Sequence, residues 1–283
     1  MVRMKRQALL ARARTGNPAA QLELACHYDF EPPKDRRRAA HWYRKAAEQG
    51  NVEAQNFLAE CLREGIGVQK SLKEAAIWHL RAAEGGHADA QVSIGNFLFY
   101  GKGLTKDRVR ALHWYTLAAK QGQCSAQYNL ALMYMRGDGA PQDWKRAIDW
   151  FRKAAENKNV SAMHWLGRIY GGQEKYPEDA KEAFRWLKLA AERGDVQSQC
   201  TLGVCYVNGI GIQRDEKFGA YWYRKAAKQG DEWASYLLGL CYRDGLGVIR
   251  NQRLARHWLN LSSVKGIKEA SSALLNLPAV ARA

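Results

Sequence analysis

The sequence predicts an all-α solenoid of about seven helix–turn–helix repeats, 36 residues in period, with a half unit at each end. Three observations predict it. Trp42, Trp78, Trp114, Trp150, Trp186, Trp222 and Trp258 stand 36 residues apart, inside recurring text such as HWYRKAAEQG, HWYTLAAKQG and YWYRKAAKQG. Seven residues before each tryptophan comes a helix-capping residue. Eight residues after all but one of them comes glycine. Self-similarity at such a period marks stacked repeats, because one helix pair cannot bury its own apolar face without neighbours.

The tryptophans belong to the second helix of each repeat. Asp35, Ser71, Asp107, Asp143, Asp179, Asp215 and Asn251 can each accept from the free N–H groups of a first helical turn. Ser71 with Glu74, and Asp179 with Glu182, also match a capping box. Small residues (Ala39, Ala75, Ala111, Ala147, Ala183, Gly219, Ala255) lie three positions before the tryptophan, and an Ala-Ala or Ser-Ser pair follows it by four and five. That spacing predicts a buried face on which a neighbouring helix approaches closely. The tryptophan is expected to fill the space and supply most of the buried area, about 150–250 Å² for an aromatic. Gly50, Gly86, Gly122, Gly194, Gly230 and Gly266 then suit left-handed caps.

The first helix of each repeat begins near Ala54, Ala90, Ala126, Ala162, Ser198 or Ala234, with apolar or small residues four, five and eight positions on, for example Leu58, Ala59 and Leu62. Turns with two glycines join the helices at Gly65, Gly101, Gly137, Gly209 and Gly245. In the first repeat Glu31-Pro32-Pro33 replaces the glycines and the loop is two residues shorter. In the fourth, Asn157-Lys158-Asn159 replaces the terminal glycine, and in the fifth Gly171 to Pro177 replaces the turn. The expected organisation is a capping helix over 1–16, seven repeats over 17–266 and a capping helix over 267–283.

The formal charge of +16 favours acidic partners, nucleic acid or anionic surfaces. No apolar run reaches the length of a membrane span, and Arg12 and Arg14 interrupt the short apolar stretch after the basic start, so a cytoplasmic protein is expected. The six cysteines have no Cys-x-x-Cys spacing; Cys61, Cys205 and Cys241 share one repeat position and are expected to be buried free thiols. The Gly-x-Gly turns lack the preceding strand and third glycine of a dinucleotide fingerprint. His41, His113 and His257 are one position copied along the chain, about 10 Å or more apart, too far to share an ion. His79 and His87 have no obvious carboxylate partner, and no nucleophile–base grouping stands out. No enzyme, metal or cofactor is expected.

These residues resemble the Sel-one-like repeat family, relatives of the tetratricopeptide repeat. The pattern reads here as AQYNLALMYMRGDGAPQDWKRAIDWFRKAAENK from Ala126, and the resemblance covers nearly the whole chain. It implies a right-handed superhelix that scaffolds protein complexes. Some members serve in immunity to bacterial toxins, so a toxin-neutralising protein is an alternative; a basic nucleic-acid-binding solenoid is another. Some secreted members carry disulfides within each repeat, a cysteine pattern absent from this sequence.

In tetratricopeptide-like arrays the first helices line the concave side, and the resemblance implies the same here. Residues two, six and nine beyond the small starting residue form a second stripe on that helix. They are Asn56, Glu60 and Arg63; Val92, Asn96 and Phe99; Tyr128, Leu132 and Met135; His164, Arg168 and Gly171; Cys200, Val204 and Val207; then Tyr236, Leu240 and Arg243. Much of the stripe is apolar or aromatic, unlike a face that only meets water. The expected partner is an acidic protein segment, anchored on Tyr128, His164 and Tyr236, with Arg168 and Arg243 gripping carboxylates. Circular dichroism should be dominated by helix and small-angle scattering should show an elongated monomer; strand content or a compact globule would refute the solenoid.

Overall fold

A computed structural model describes residues 2–172 and 178–277, with side chains from Gln7. Among the described residues there are sixteen helices and no strand. The first helices of the repeats are α2 (Pro18–Phe30), α4 (Val52–Glu64), α6 (Ala88–Tyr100), α8 (Cys124–Arg136), α10 (Val160–Tyr170), α12 (Val196–Asn208) and α14 (Glu232–Asp244). The second helices are α3 (Arg36–Glu48), α5 (Leu72–Glu84), α7 (Arg108–Lys120), α9 (Trp144–Glu156), α11 (Ala180–Glu192), α13 (Glu216–Lys228) and α15 (Gln252–Val264). Helices α1 (Val2–Arg14) and α16 (Lys268–Leu275) flank them. The chain forms two compact halves, Met1–Trp150 and Phe151–Ala283, with the boundary inside α9. Within each half successive helices pack in order, α1 on α2 through α7 on α8, and α10 on α11 through α15 on α16. No described helix is long and apolar enough to cross a membrane.

The second helices start where the sequence places them. All seven capping side chains accept from a first-turn N–H, at 2.9 Å from Arg110 N to Asp107 and 3.3 Å from Glu74 N to Ser71. The capping boxes are only half formed. Glu74 pairs with Arg44 at 2.7 Å and Glu182 with Arg185 at 3.2 Å. The N–H of each capping residue instead donates to a carbonyl near the end of the preceding first helix: Asp35 to Tyr28, Ser71 to Leu62, Asp107 to Leu98, Asp143 to Tyr134, Asp179 to Tyr170, Asp215 to Tyr206 and Asn251 to Tyr242, all at 2.8–2.9 Å. One bond therefore satisfies an orphan at each of two helix ends.

The tryptophans do not play the part expected of them. Trp78, Trp186 and Trp222 are buried, but Trp42, Trp114, Trp150 and Trp258 are only half-buried. The next residue is the one fully enclosed: Tyr43, His79, Tyr115, Phe151, Leu187, Tyr223 and Leu259. The reason is the helical period. The small residue, this position and the first alanine of the pair are separated by four and three, so they share one face, while the tryptophan lies about 100° around the helix. The large side chain meets a small position on the first helix. A Cβ added at Gly95 would lie 2.7 Å from Tyr115, and one at Gly203 would lie 2.5 Å from Tyr223.

Two further series join one repeat to the next. Buried Gln21, Gln55, Gln91, Gln127 and Gln199 donate to the carbonyls of Ala13, Ala47, Ala83, Ala119 and Ala191, at the end of the preceding helix. Gln49, Gln121 and Gln229 donate in turn to Gln21, Gln91 and Gln199 at 2.7–2.8 Å. The second turn glycine packs on the previous repeat: a Cβ at Gly67 would lie 2.0 Å from the Arg36 carbonyl oxygen, and one at Gly247 2.0 Å from that of Glu216. The irregular turn of the fifth repeat, at 173–177, lies outside the described residues.

The six cysteines are free, with Cys61, Cys205 and Cys241 buried as expected. Burial pushes each of these three thiols up to about 11, which keeps them protonated and unreactive.

Lys158 occupies the slot that glycine fills elsewhere, at φ 66°. The equivalent Gly50, Gly86 and Gly122 have open space around a notional Cβ. The cost at Lys158 is therefore backbone strain alone. Lys158→Gly should stabilise the protein by about 1 kcal/mol, read as a higher urea midpoint, whereas Gly122→Lys should lower it; no change in either would refute this account.

Candidate functional site

The first-helix stripe is half-buried over most of its length. Asn56, Asn96, Phe99, Tyr128, Leu132, His164, Arg168, Tyr236 and Arg243 are all partly accessible, and Met135, at 6% exposure, lies in the core beneath them. The structure joins some of these residues and separates others. In the N-terminal half, Glu60 and Arg63 of α4 and Asn96 of α6 line one cleft of about 660 Å³, together with Lys70, Tyr100 and Lys102. Phe99 and Leu132 meet in a smaller cavity of about 40 Å³. In the C-terminal half, His164, Arg168, Tyr236 and Arg243 line neither the cleft at Arg214–Lys217 and Gly245–Ile249 nor the one at Lys217–Lys225.

Most polar groups of the stripe already hold partners. Arg63 lies 2.5 Å from Glu60 and 2.7 Å from Glu64. Asn96 accepts a 2.6 Å bond from the Tyr115 hydroxyl. Arg243 grips Asp244 with two bonds of 2.8 and 2.7 Å, and Arg168 lies over the Trp165 ring at 4.6 Å. His164 Nδ1 sits 2.9 Å from Ser198 Oγ and 3.3 Å from Asp195 Oδ1. Asp195 is itself the cap of α12, accepting from Ser198 N at 2.7 Å. His164 therefore links α10 to the start of α12, a joint between repeats. Among the described residues the cations of the 660 Å³ cleft without a carboxylate within ion-pair distance are Lys70 and Lys102, and Lys102 lies 5.6 Å from the Tyr100 ring centre.

His79 corrects the expectation that it lacks a carboxylate. It fills the enclosed large position of its repeat with no solvent exposure. Its Nε2 lies 3.2 Å from Glu60 Oε1, an ion-pair distance without good hydrogen-bond alignment. Burial raises the Glu60 pKa, but His79 and Arg63 more than offset that and hold it down to about 2. Asp195 is also held near 2, with burial again opposed by His164 and Ser198.

A second series of caps opens the first helices. Asn17, Asn51, Asn159, Asp195 and Asp231 cap the first helices, and His87 does so through Nδ1. They recur directly after the terminal glycine, or after Lys158 in the case of Asn159, and that recurrence is legible in the sequence.

Seven successive segments match the Sel1 repeat: residues 18–51, 52–87, 88–123, 124–159, 160–195, 196–231 and 234–263. The chain belongs to the Sel1 repeat family, whose repeats form non-catalytic scaffolds that mediate protein binding. Among solved structures it is similar to c5321, a protective antigen of uropathogenic Escherichia coli with this fold. Identity there is 31% over 96% of this chain, with a TM-score of 0.92. The chain spans 59% of the length of that protein. It is also similar to a Sel1 repeat protein of Oxalobacter formigenes, at 31% identity over 96% of this chain and 80% of the other, with a TM-score of 0.77. No curated protein matches the chain.

The Glu60 pairing gives a pH prediction. A depressed folded-state pKa contributes stability that is complete above the ordinary carboxylate value of 4.5 and lost as pH falls through about 2. Glu60→Gln should therefore lower the urea midpoint most at neutral pH, with the gap from the parent closing between those two values. A pH-independent gap would show that the ion pair is not its source.

Proposed function

We propose that this chain is a protein-interaction scaffold that takes an acidic segment of a partner protein along its first helices. The observation that carries the proposal is the cleft of about 660 Å³ where Glu60, Arg63 and Asn96 converge. Lys70 and Lys102 at this cleft can receive carboxylates, Lys102 from a place 5.6 Å from the centre of the exposed Tyr100 ring, which offers apolar surface beside it. The +16 charge of the chain favours an acidic partner by complementarity. Phe99, Tyr128 and Leu132 continue the stripe in the N-terminal half, and His164, Arg168, Tyr236 and Arg243 lie at equivalent positions in the C-terminal half. Tyr128 and Tyr236 are the aromatic anchors of this proposal. Arg168 and Arg243 act only where a partner carboxylate competes with their existing contacts.

The experiment captures partners from the native cell at low and high salt and then measures affinity for the recovered protein. Tyr128→Ala with Tyr236→Ala should weaken binding by at least about thirtyfold, the loss expected from a single anchor worth about 2 kcal/mol. Lys70→Ala with Lys102→Ala should weaken it and reduce its salt dependence. Lys120→Ala with Lys228→Ala, on second helices, should leave it unchanged. Arg152 and Arg224 do not serve as controls, because they bond the hydroxyls of Tyr170 and Tyr242 on first helices at 2.7 and 2.8 Å. Loss of binding in the Lys120/Lys228 pair with retention in the tyrosine pair would place the partner on the other face.

A further inference from the structure

A different surface stands out on α13, the second helix of the sixth repeat. Lys217, Phe218, Tyr221, Trp222 and Lys225 fall at i, i+1, i+4, i+5 and i+8, so they share one side of the helix. They line a cleft of about 580 Å³ together with Glu192 of α11. Phe218 is 53% exposed and Tyr221 46%. The rings run in series: Tyr206 to Phe218 at 5.4 Å, Phe218 to Tyr221 at 6.4 Å and Tyr221 to Trp222 at 5.3 Å. In the other repeats the Phe218 slot holds Arg38, Glu74, Arg110, Arg146, Glu182 or Leu254, and the Tyr221 slot holds His41, Ile77, His113, Asp149, Arg185 or His257. The sixth repeat is the one with aromatic carbon at both, so repeat packing does not require it there.

We infer that this face of α13 is a docking site for a short acidic peptide segment of a partner protein that carries an aromatic or long apolar side chain. The charge of the cleft selects the sign. Glu192 lies 4.0 Å from Lys188, which offsets it, and this leaves Lys217 and Lys225. The placement of Lys225 selects the class of partner. Its Nζ lies 5.3 Å from the Tyr221 ring centre and 4.8 Å from that of Trp222. The ammonium thus occupies ring faces on which nucleic-acid bases would stack. What remains is an ammonium backed by rings, suited to a carboxylate, beside exposed Phe218 and Tyr221, suited to an apolar side chain. The five residues span roughly 12 Å along the helix, the reach of about four extended residues.

The test uses the full chain and a fluorescein-labelled peptide with a central Phe-Leu pair flanked by aspartates, read by fluorescence anisotropy. Two peptide controls carry asparagine for aspartate, or Ala-Ala for Phe-Leu; single-stranded oligothymidylate is a third ligand. Phe218→Arg with Tyr221→His installs the residue types of the first repeat, which this fold accommodates, and raises the positive charge. It should weaken the acidic peptide at least about tenfold, whereas simple charge attraction would strengthen it. Lys225→Gln should weaken the peptide and flatten its salt dependence. Both peptide controls should bind more weakly than the parent, and Tyr128→Ala with Tyr236→Ala should not alter peptide binding, which separates this site from the first-helix stripe. The inference is overturned if the peptide shows no saturable binding or if the Phe218/Tyr221 variant binds it unchanged. It is also overturned if oligothymidylate binds more tightly than the peptide and depends on the same residues.

Discussion

Each repeat depends on one backbone hydrogen bond, from the N–H of the residue that caps the second helix to a carbonyl near the end of the first. It is made in all seven repeats within 2.8–2.9 Å, across turns as unlike as the diproline loop of the first and the Gly-x-Gly loops of five others. Helix ends leave N–H and C=O groups without intrahelical partners, and a buried group left so is costly. Joining one orphan from each end fixes where the second helix starts relative to the first. The side-chain half of the cap then secures the first turn, and the large residue that follows each tryptophan comes to face the small position on the first helix. Turn composition can vary because the bond uses only main-chain atoms.

Stacking is governed by closeness. The second turn glycine lies where any Cβ would strike the backbone of the preceding repeat, and the Ala pairs and buried glutamines work at the same short range. A glutamine amide held between helices donates to a carbonyl that also accepts the N–H of the terminal glycine, so the buried amide is satisfied and the helix end takes a second bond. Where Met163 and Ser235 replace that glutamine, the same bond is not made. Ser235 turns its hydroxyl to the Asp231 carbonyl of its own helix. Joints between repeats are therefore not chemically uniform, and His164 with Asp195 and Ser198 supplies a different polar link in the C-terminal half.

The surface divides along the same lines. Polar residues of the first-helix stripe are largely engaged with neighbouring side chains, so the surface left open along it is mainly apolar and aromatic. The second helices are mostly charged outside, and α13 departs from that with two exposed aromatics between lysines. Equivalent positions that share one residue type present the same chemistry at every step, so the surface of one repeat differs from the next where the repeat pattern is broken.

The sequence by itself determined the period, the number of repeats, the caps of the second helices and the glycine turns. Each of these is a local property: a cap acts on its own first turn, and a left-handed residue needs only its own φ. Lys158 shows the same locality, because its positive φ follows from its slot in the repeat whatever residue fills it. Only the tertiary structure decided which large residue each core encloses. Trp42 and Tyr43 differ by one position, and choosing between them requires the direction from which the first helix arrives. It also decided that His79 meets Glu60 and that His164 meets Asp195, since each pair joins different helices whose facing directions spacing alone does not set. The gathering of Glu60, Arg63 and Asn96 into one cleft belongs to the same class. Spacing in a repeat assigns residues to a face, but the depth of that face is set by side chains packed against it from neighbouring helices.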